Sequence, residues 1–314
     1  MAERPFTFER FTNRLILEGT LMATTALRVG TGRATEPVGT DLPVIKDTRG
    51  YPFIPGSSLK GVLRSRVEQF VRAIVPGNRF GACMLTSEDE RCILRGKHRT
   101  DPRKTYTDSD PIGIGDLQEM AERKEREARE AAQKAGRSDY KRADEFLAEG
   151  VWANACLVCR TFGSPWLASH VQVRDLPVDG ETWFGQFQVR DGVAIDRDTG
   201  RAAEGFLYDY EVVPAGTVFK LRIVVENAED WQLGMLFVAL RELENGHLAL
   251  GGATSRGLGE ARLTITGAEW IEGREGLLAY LRTGTGEVLD EEKLREKRTG
   301  WQKAFVDLLE EKGG

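Results

Sequence analysis

Residues 53–64 read Phe53-Ile54-Pro55-Gly56-Ser57-Ser58-Leu59-Lys60-Gly61-Val62-Leu63-Arg64, and this stretch decides the fold. Pro55-Gly56 is a turn signal. Ser57 or Ser58 is then expected to cap a helix starting near Leu59, by accepting a hydrogen bond from one of its free N–H groups. Leu59, Val62, Leu63, Val67, Phe70 and Ile74 recur at helical spacing, and Lys60, Arg64 and Arg66 stand off that apolar face. Two hydroxyls, unpaired N–H groups and nearby cations at a helix mouth make a seat for a phosphate.

Outward from this helix, Arg14 to Gly30 reads as a strand, Thr31 to Thr40 as a polar glycine-rich loop, and Pro43-Val44-Ile45 as a short apolar run. Val218 to Val225 alternates apolar and charged residues, as a half-buried strand does. Trp231 to Leu243 is a second amphipathic helix, and Ala261 to Thr266 a closing strand. Strand, helix, strands, helix and strand in this order predict an α+β fold, a ferredoxin-like sheet with helices on one face.

The stretch Phe53 to Arg64 resembles the signature of the RAMP superfamily, the repeat-associated proteins of CRISPR effector complexes. Gly251-Gly252-Ala253-Thr254-Ser255-Arg256-Gly257-Leu258-Gly259 is similar to that superfamily's glycine-rich loop, and the two motifs stand in the expected order. The resemblance covers most of residues 1–314, read as a single RAMP domain, apart from a charged insertion around 95–150. It implies a modified RNA-recognition-type sheet. Ser57, Ser58, Lys60 and Arg64 are then expected to contact the guide-RNA backbone, with Gly251, Gly252, Arg256, Gly257 and Gly259 of the loop. A helix-to-strand connection that needs positive φ angles is the plainer reading of those glycines.

Two insertions separate the halves. The first, 76–171, contains Asp116 to Leu147, rich in Glu, Lys, Arg and Ala. It reads as a solvated helix or helical pair held by surface charge pairs, or as a docking arm for a neighbouring subunit. It also carries all four cysteines, Cys83, Cys92, Cys156 and Cys159. Cys156-Leu157-Val158-Cys159 has the spacing by which two thiolates share one tetrahedral ion, so structural zinc is expected, with His98 or His170 able to replace a cysteine. Core cysteines or a redox pair are the alternatives. The second insertion, 186–212, contains Asp198-Thr199-Gly200 between flanks that can pair as a hairpin. Ile195-Asp196-Arg197-Asp198-Thr199-Gly200 is similar to the start of the thumb of type III backbone subunits. The resemblance implies that Ile195, Arg197, Phe206 and Leu207 belong to a hairpin that pushes between bases.

No Ser–His–Asp set, HExxH, nucleotide-binding P-loop or Rossmann fingerprint is present, and three histidines are poor material for a histidine mechanism. A net charge of −5 argues against a generally basic nucleic-acid binder, though not against one whose cations line a single face. With no apolar run of spanning length and no signal peptide, a cytoplasmic protein without membrane contact is expected. Gly39-Thr40-Asp41-Leu42-Pro43-Val44-Ile45 is similar to the segment that carries the aspartate of target-cleaving subunits, and Asp41 occupies that position. A turn or capping aspartate is the alternative. The resemblance implies an endoribonuclease that binds a CRISPR guide RNA and cuts complementary target RNA at regular intervals by attack of a 2′-hydroxyl. Magnesium or manganese would be the divalent metal. Copies or paralogues of the chain, and the large and small subunits of the complex, would be its partners. A non-catalytic guide-binding scaffold is the second reading, and an endonuclease trimming the guide precursor a third.

Overall fold

Alternation along residues 13–23 places Leu15, Leu17, Leu21 and Ala23 on one side of an extended chain, and all four are buried. The computed structural model describes residues 8–30, 40–75, 81–84, 86–101, 105–107 and 110–313, with 202–206 described by backbone alone. In it this segment is the central strand β1 (Asn13–Ala23), flanked antiparallel by β7 (Val218–Glu226) and β8 (Ala261–Glu272). Leu15 lies opposite Val225 and Trp270, Leu17 opposite Ile223 and Ala268, and Leu21 opposite Phe219 and Leu263. One apolar face therefore runs through three strands. β3 (Val171–Val173) pairs with the far side of β7, and β9 (Glu287–Val288) with the far side of β8, giving the order β3-β7-β1-β8-β9.

Two helices cover this apolar face. α1 (Gly56–Ile74) buries Leu59, Leu63, Val67 and Val71, a stripe at intervals of four residues. α5 (Asp230–Glu244) follows β7 and returns the chain to β8. β1, α1, β3, β7, α5 and β8 thus repeat the β-α-β-β-α-β order the sequence predicts. The opposite face is polar, with Arg14 bonded to Glu226 at 2.6 Å and Glu18 to Arg222.

Several boundaries differ from expectation. β1 ends at Ala23, not Gly30, because its neighbours end at Val218 and Ala261; residues 27–30 pair instead with Val213, Gly251 and Val44. β8 continues past Thr266 to Glu272, across an irregularity in its pairing with β1 at Glu18–Gly19. α1 starts at Gly56, with Pro55 at the cap and no side-chain cap, so neither Ser57 nor Ser58 caps it. Proline's fixed φ suits this position, and the Gly56 N–H donates to Asp175 Oδ1 at 2.8 Å. The C-terminal part folds into α6 (Gly273–Thr283), β9 and α7 (Glu291–Gly313). α7 lies on α5 through Trp301, Phe305 and Leu309, with Trp301 stacked 5.5 Å from Phe237. A side chain at Gly234 would collide with the Trp301 carbonyl, so glycine permits this close approach.

In the first insertion α2 (Ile114–Lys134) packs on α3 (Ala143–Asn154) as a helical pair, and the short α4 (Leu157–Phe162) leads back to the sheet. Phe146 of α3 receives the ammonium groups of Lys141 and Lys124 at 4.4 and 5.8 Å from its ring centre. The second insertion is a hairpin of β5 (Gln188–Ile195) and β6 (Ala202–Val212), a two-stranded sheet of its own. β2 (Phe53–Ile54) pairs with β4 (Leu176–Pro177) beside the mouth of α1. Among the described residues no helix is long and apolar enough to cross a membrane.

Candidate functional site

Asp41 lies exposed where the segment 41–46 meets the root of β6. Leu42 bridges Tyr210, and the Glu211 N–H donates to the Leu42 carbonyl at 3.1 Å. The Glu211 carboxylate accepts the Val44 N–H at 3.2 Å and pairs with Lys46 at 2.8 Å. On the other side the Ile45 N–H donates to the Val29 carbonyl at 2.9 Å, so residues 26–30, 41–46 and 208–213 form one small backbone lattice. Asp41 is pinned at its edge by mutual hydrogen bonds with Asp209. Most of Thr31–Thr40 and Gly39 lie outside the described residues.

The glycine loop closes the lattice from behind. Gly251 and Gly259 have φ of +81° and +86°, the left-handed region, and a side chain at either would strike the carbonyl oxygen of Arg28 or of Leu250. The Gly252 N–H donates to the Arg28 carbonyl at 2.8 Å, and the Gly259 N–H to Ala26 at 2.9 Å. These glycines serve close backbone packing, while Gly257, also at positive φ, faces open space. Exposed Arg256 donates to the Tyr208 hydroxyl at 2.8 Å, which ties the loop to β6.

At the mouth of α1, Ser57 is exposed and Ser58 half-buried, but the two cations turn inward. Lys60 donates to Ser169 Oγ at 2.7 Å and to the Val171 carbonyl at 2.9 Å. Burial, with Arg64 nearby, lowers its pKa. Arg64 donates to Glu68, to the Gly163 carbonyl at 2.8 Å and to Cys159 Sγ at 3.2 Å. Both side chains thus fasten the insertion to α1. Arg72, two turns along, donates to the Ala82 and Cys83 carbonyls.

The four cysteines converge, all buried, with their sulfurs within 4.8 Å of one another. Cys83 Sγ and Cys159 Sγ are 3.5 Å apart, and the N–H groups of Cys83 and Cys159 point at Cys156 Sγ from 3.5 and 3.4 Å. Cys92 completes the group. Hydrogen bonds from Cys156 hold Cys83 and Cys92 toward the thiolate. Neither histidine joins them: His98 Nε2 contacts the Arg95 carbonyl and His170 Nδ1 the Glu226 carbonyl, each at 2.8 Å.

The hairpin's far end turns at Asp196, whose Oδ1 accepts the N–H groups of Asp198 and Thr199, each at 2.9 Å. Along it Ile195 and Leu207 are 63% and 71% exposed, and Arg197 is exposed too. The Phe206 side chain lies outside the described residues. Arg28, Tyr208, Asp209, Tyr210 and Glu211 belong to the site and were not singled out from the sequence. Only the aromatic and acidic run before Val212 hinted at them, because their partners lie far away in the chain.

This chain is similar to known proteins over most of its length. It is 25% identical over 280 residues, 83% of this chain and 85% of the other, to a protein of Methanocaldococcus jannaschii named CRISPR system Cms endoribonuclease Csm3. A protein of the same name from Methanothermobacter thermautotrophicus is 42% identical over 62 residues, 19% of this chain and 25% of the other. The family model described as RAMP superfamily matches residues 20–262, and the chain belongs to that superfamily.

Proposed function

We propose that the chain is a backbone subunit of a type III CRISPR ribonucleoprotein, an endoribonuclease that binds guide RNA and cleaves complementary target RNA at regular intervals. The observation that carries this reading is the joining of Asp41 to the root of the hairpin, in a chain similar to Csm3 endoribonucleases over most of its length. The β5–β6 hairpin acts as the thumb: Ile195 and Leu207, already exposed, replace base stacking where it enters the guide–target duplex, and Arg197 meets the backbone. A nucleotide displaced there can bring its 2′-oxygen in line with its own phosphorus. The 2′-oxygen bonds to phosphorus, the 5′-oxygen leaves and takes a proton from water, and a cyclic phosphate and a 5′-hydroxyl result. Asp41 accepts the 2′-hydroxyl proton; alternatively it would hold a divalent ion such as magnesium or manganese, which would supply charge to offset that of the phosphate. DNA lacks that hydroxyl and is not cut.

Guide contacts fall to the mouth of α1, with Ser57 and Ser58, and to Gly257 and Arg256 of the glycine loop. Lys60 and Arg64 serve there mainly by holding α1 to the insertion, given their inward bonds. The cysteine cluster fits structural zinc. A tetrahedral ion with Zn–S of about 2.3 Å needs sulfurs about 3.8 Å apart, and four protein ligands leave no open position for chemistry. Zinc would supply cross-linking there, joining residues 83–92 to α4. Other copies or paralogues of the chain, with the large and small subunits, are the expected neighbours in the cytoplasm.

The test is the assembled complex with a defined guide, incubated with matched target RNA and magnesium, comparing wild type with Asp41→Ala. Evenly spaced cuts that vanish in the variant while target binding persists are expected. Unchanged cuts would leave the chain a scaffold.

A further inference from the structure

Arg28 sits where the three parts of the site meet. Its backbone bridges Gly251, its carbonyl accepts the Gly252 N–H at 2.8 Å, and its guanidinium lies 5.9 Å from the centre of the Tyr210 ring. Tyr210 is the residue that bridges Leu42, the neighbour of Asp41. Glycines flank the guanidinium on two sides. A methyl group at Gly30 or at Gly252 would come within 3.1 Å of its terminal nitrogens. The group is therefore given room, with the Tyr210 ring within cation–π reach.

The charge has no acidic partner among the described residues. Asp41, Asp209 and Glu211 are close in the lattice, yet each is engaged elsewhere, Asp41 and Asp209 with each other's N–H and Glu211 with Lys46. No ion pair or side-chain hydrogen bond of Arg28 occurs among the described residues, and its Nε is buried without a partner. A buried donor without a partner costs the fold stability, and a ligand that engages the rest of the guanidinium would offset that cost. Planar, permanently charged and forked, a guanidinium matches a phosphate better than any other side chain does.

We infer that Arg28 is a phosphate-binding residue of the cleavage site, holding a backbone phosphodiester of the RNA beside Asp41. It would bind a phosphate oxygen and offset the negative charge that grows on the phosphorane as the 2′-oxygen attacks. The inference rests on the proposed endoribonuclease reading and deepens it. It also gives Gly252 a purpose beyond chain closure, since an alanine there would crowd the guanidinium.

The experiment uses the assembled complex with guide RNA. Arg28→Met keeps an unbranched side chain and removes the charge; Arg28→Gln serves if the methionine variant melts early. Cleavage at saturating target is expected to fall about 100-fold, the scale for losing one donor to a reacting oxyanion, and Arg28→Lys, which keeps the charge without the fork, to recover part of it. In the non-cleaving Asp41→Ala background, the slope of log binding constant against log salt should lessen by about 0.7 to 0.9, one phosphate contact. A neutral variant that folds, cuts at the wild-type rate and keeps the full salt slope overturns the inference. Equal loss in Arg28→Lys and the neutral variant also overturns it, because shape and not charge would then matter. If Asp41→Ala itself cuts normally, the endoribonuclease reading fails, and the salt slope still reports on Arg28 separately.

Discussion

Asp41 and Asp209 hold each other by the backbone: the Asp41 N–H donates to Asp209 Oδ1 at 2.7 Å, and the Asp209 N–H donates to Asp41 Oδ2 at 3.2 Å. One oxygen of Asp41 is thereby occupied, and the other has no hydrogen bond among the described residues. Because Asp209 belongs to β6, any tilt of the hairpin is felt at the Asp41 carboxylate.

Replacing Asp209 with alanine removes the acceptor for the Asp41 N–H but keeps its own N–H. A single hydrogen bond of this kind is worth about 0.5 to 1.5 kcal/mol, so cleavage should slow about 3- to 10-fold with target binding unchanged. Asp209→Asn keeps an acceptor oxygen and should cut nearly as the wild type does. Single-turnover cleavage of labelled target distinguishes the two. A large loss in the asparagine variant would mean that the charge of Asp209, not its position, is what matters.

The cysteine cluster predicts a stability linked to metal. Purified protein should carry one zinc per chain by elemental analysis, and Cys156→Ser should lose it. Cys156 receives two N–H groups and sits at the cap of α4, so the melting temperature should fall with it. Arg64→Ala removes a donor to Cys159 Sγ, a bond from a charged donor worth about 1.5 to 3 kcal/mol. Combined with Cys156→Ser, it should destabilise less than the sum of the two changes, because both act on one cluster.

Ile195 and Leu207 are exposed, so truncating them removes little buried surface. Ile195→Ala and Leu207→Ala should leave the melting free energy within about 0.5 kcal/mol of wild type. Target cleavage should nevertheless lose its regular spacing or its rate. A variant that melts early would show instead that these side chains pack on the fold.

His170 is buried between Phe8 and Trp152, and burial lowers its pKa below 6.5. The folded protein favours the neutral ring, so this contribution is present above the unfolded pKa of about 6.5 and is lost as pH falls toward the lower folded value. The melting temperature should drop more steeply on acidification in wild type than in His170→Asn, followed in buffers between about pH 7 and pH 5. Parallel curves would show that this histidine does not set the acid limit.

The layered core was legible because it rests on short-range spacing. Leu59, Leu63 and Val67 give α1 its period, although the last turn buries Val71 and leaves the expected Ile74 exposed, and the alternation of Val218 to Val225 gives β7 its face. The hairpin was legible because Asp198-Thr199-Gly200 are turn residues, and Gly200 has φ of +66°. Convergence of the cysteines followed from their type and spacing. What stayed hidden were pairings between distant segments: Arg64 with Cys159, 95 residues on, and Asp41 with Asp209, 168 residues on. Nothing in the spacing of Lys60 and Arg64 says that they turn toward the insertion. The cap at Pro55 was hidden for a similar reason, because the carboxylate that meets the first N–H comes from Asp175.

The two outermost strands of the main sheet are very short, three residues in β3 and two in β9. Exposed main-chain N–H and C=O groups on a long border strand invite another chain to add itself. Here that border offers room for almost no such ladder. In the array proposed for the subunits, these two strands would give a neighbour little backbone to join, and the spacing of the copies would be left to side chains or to a shared third molecule.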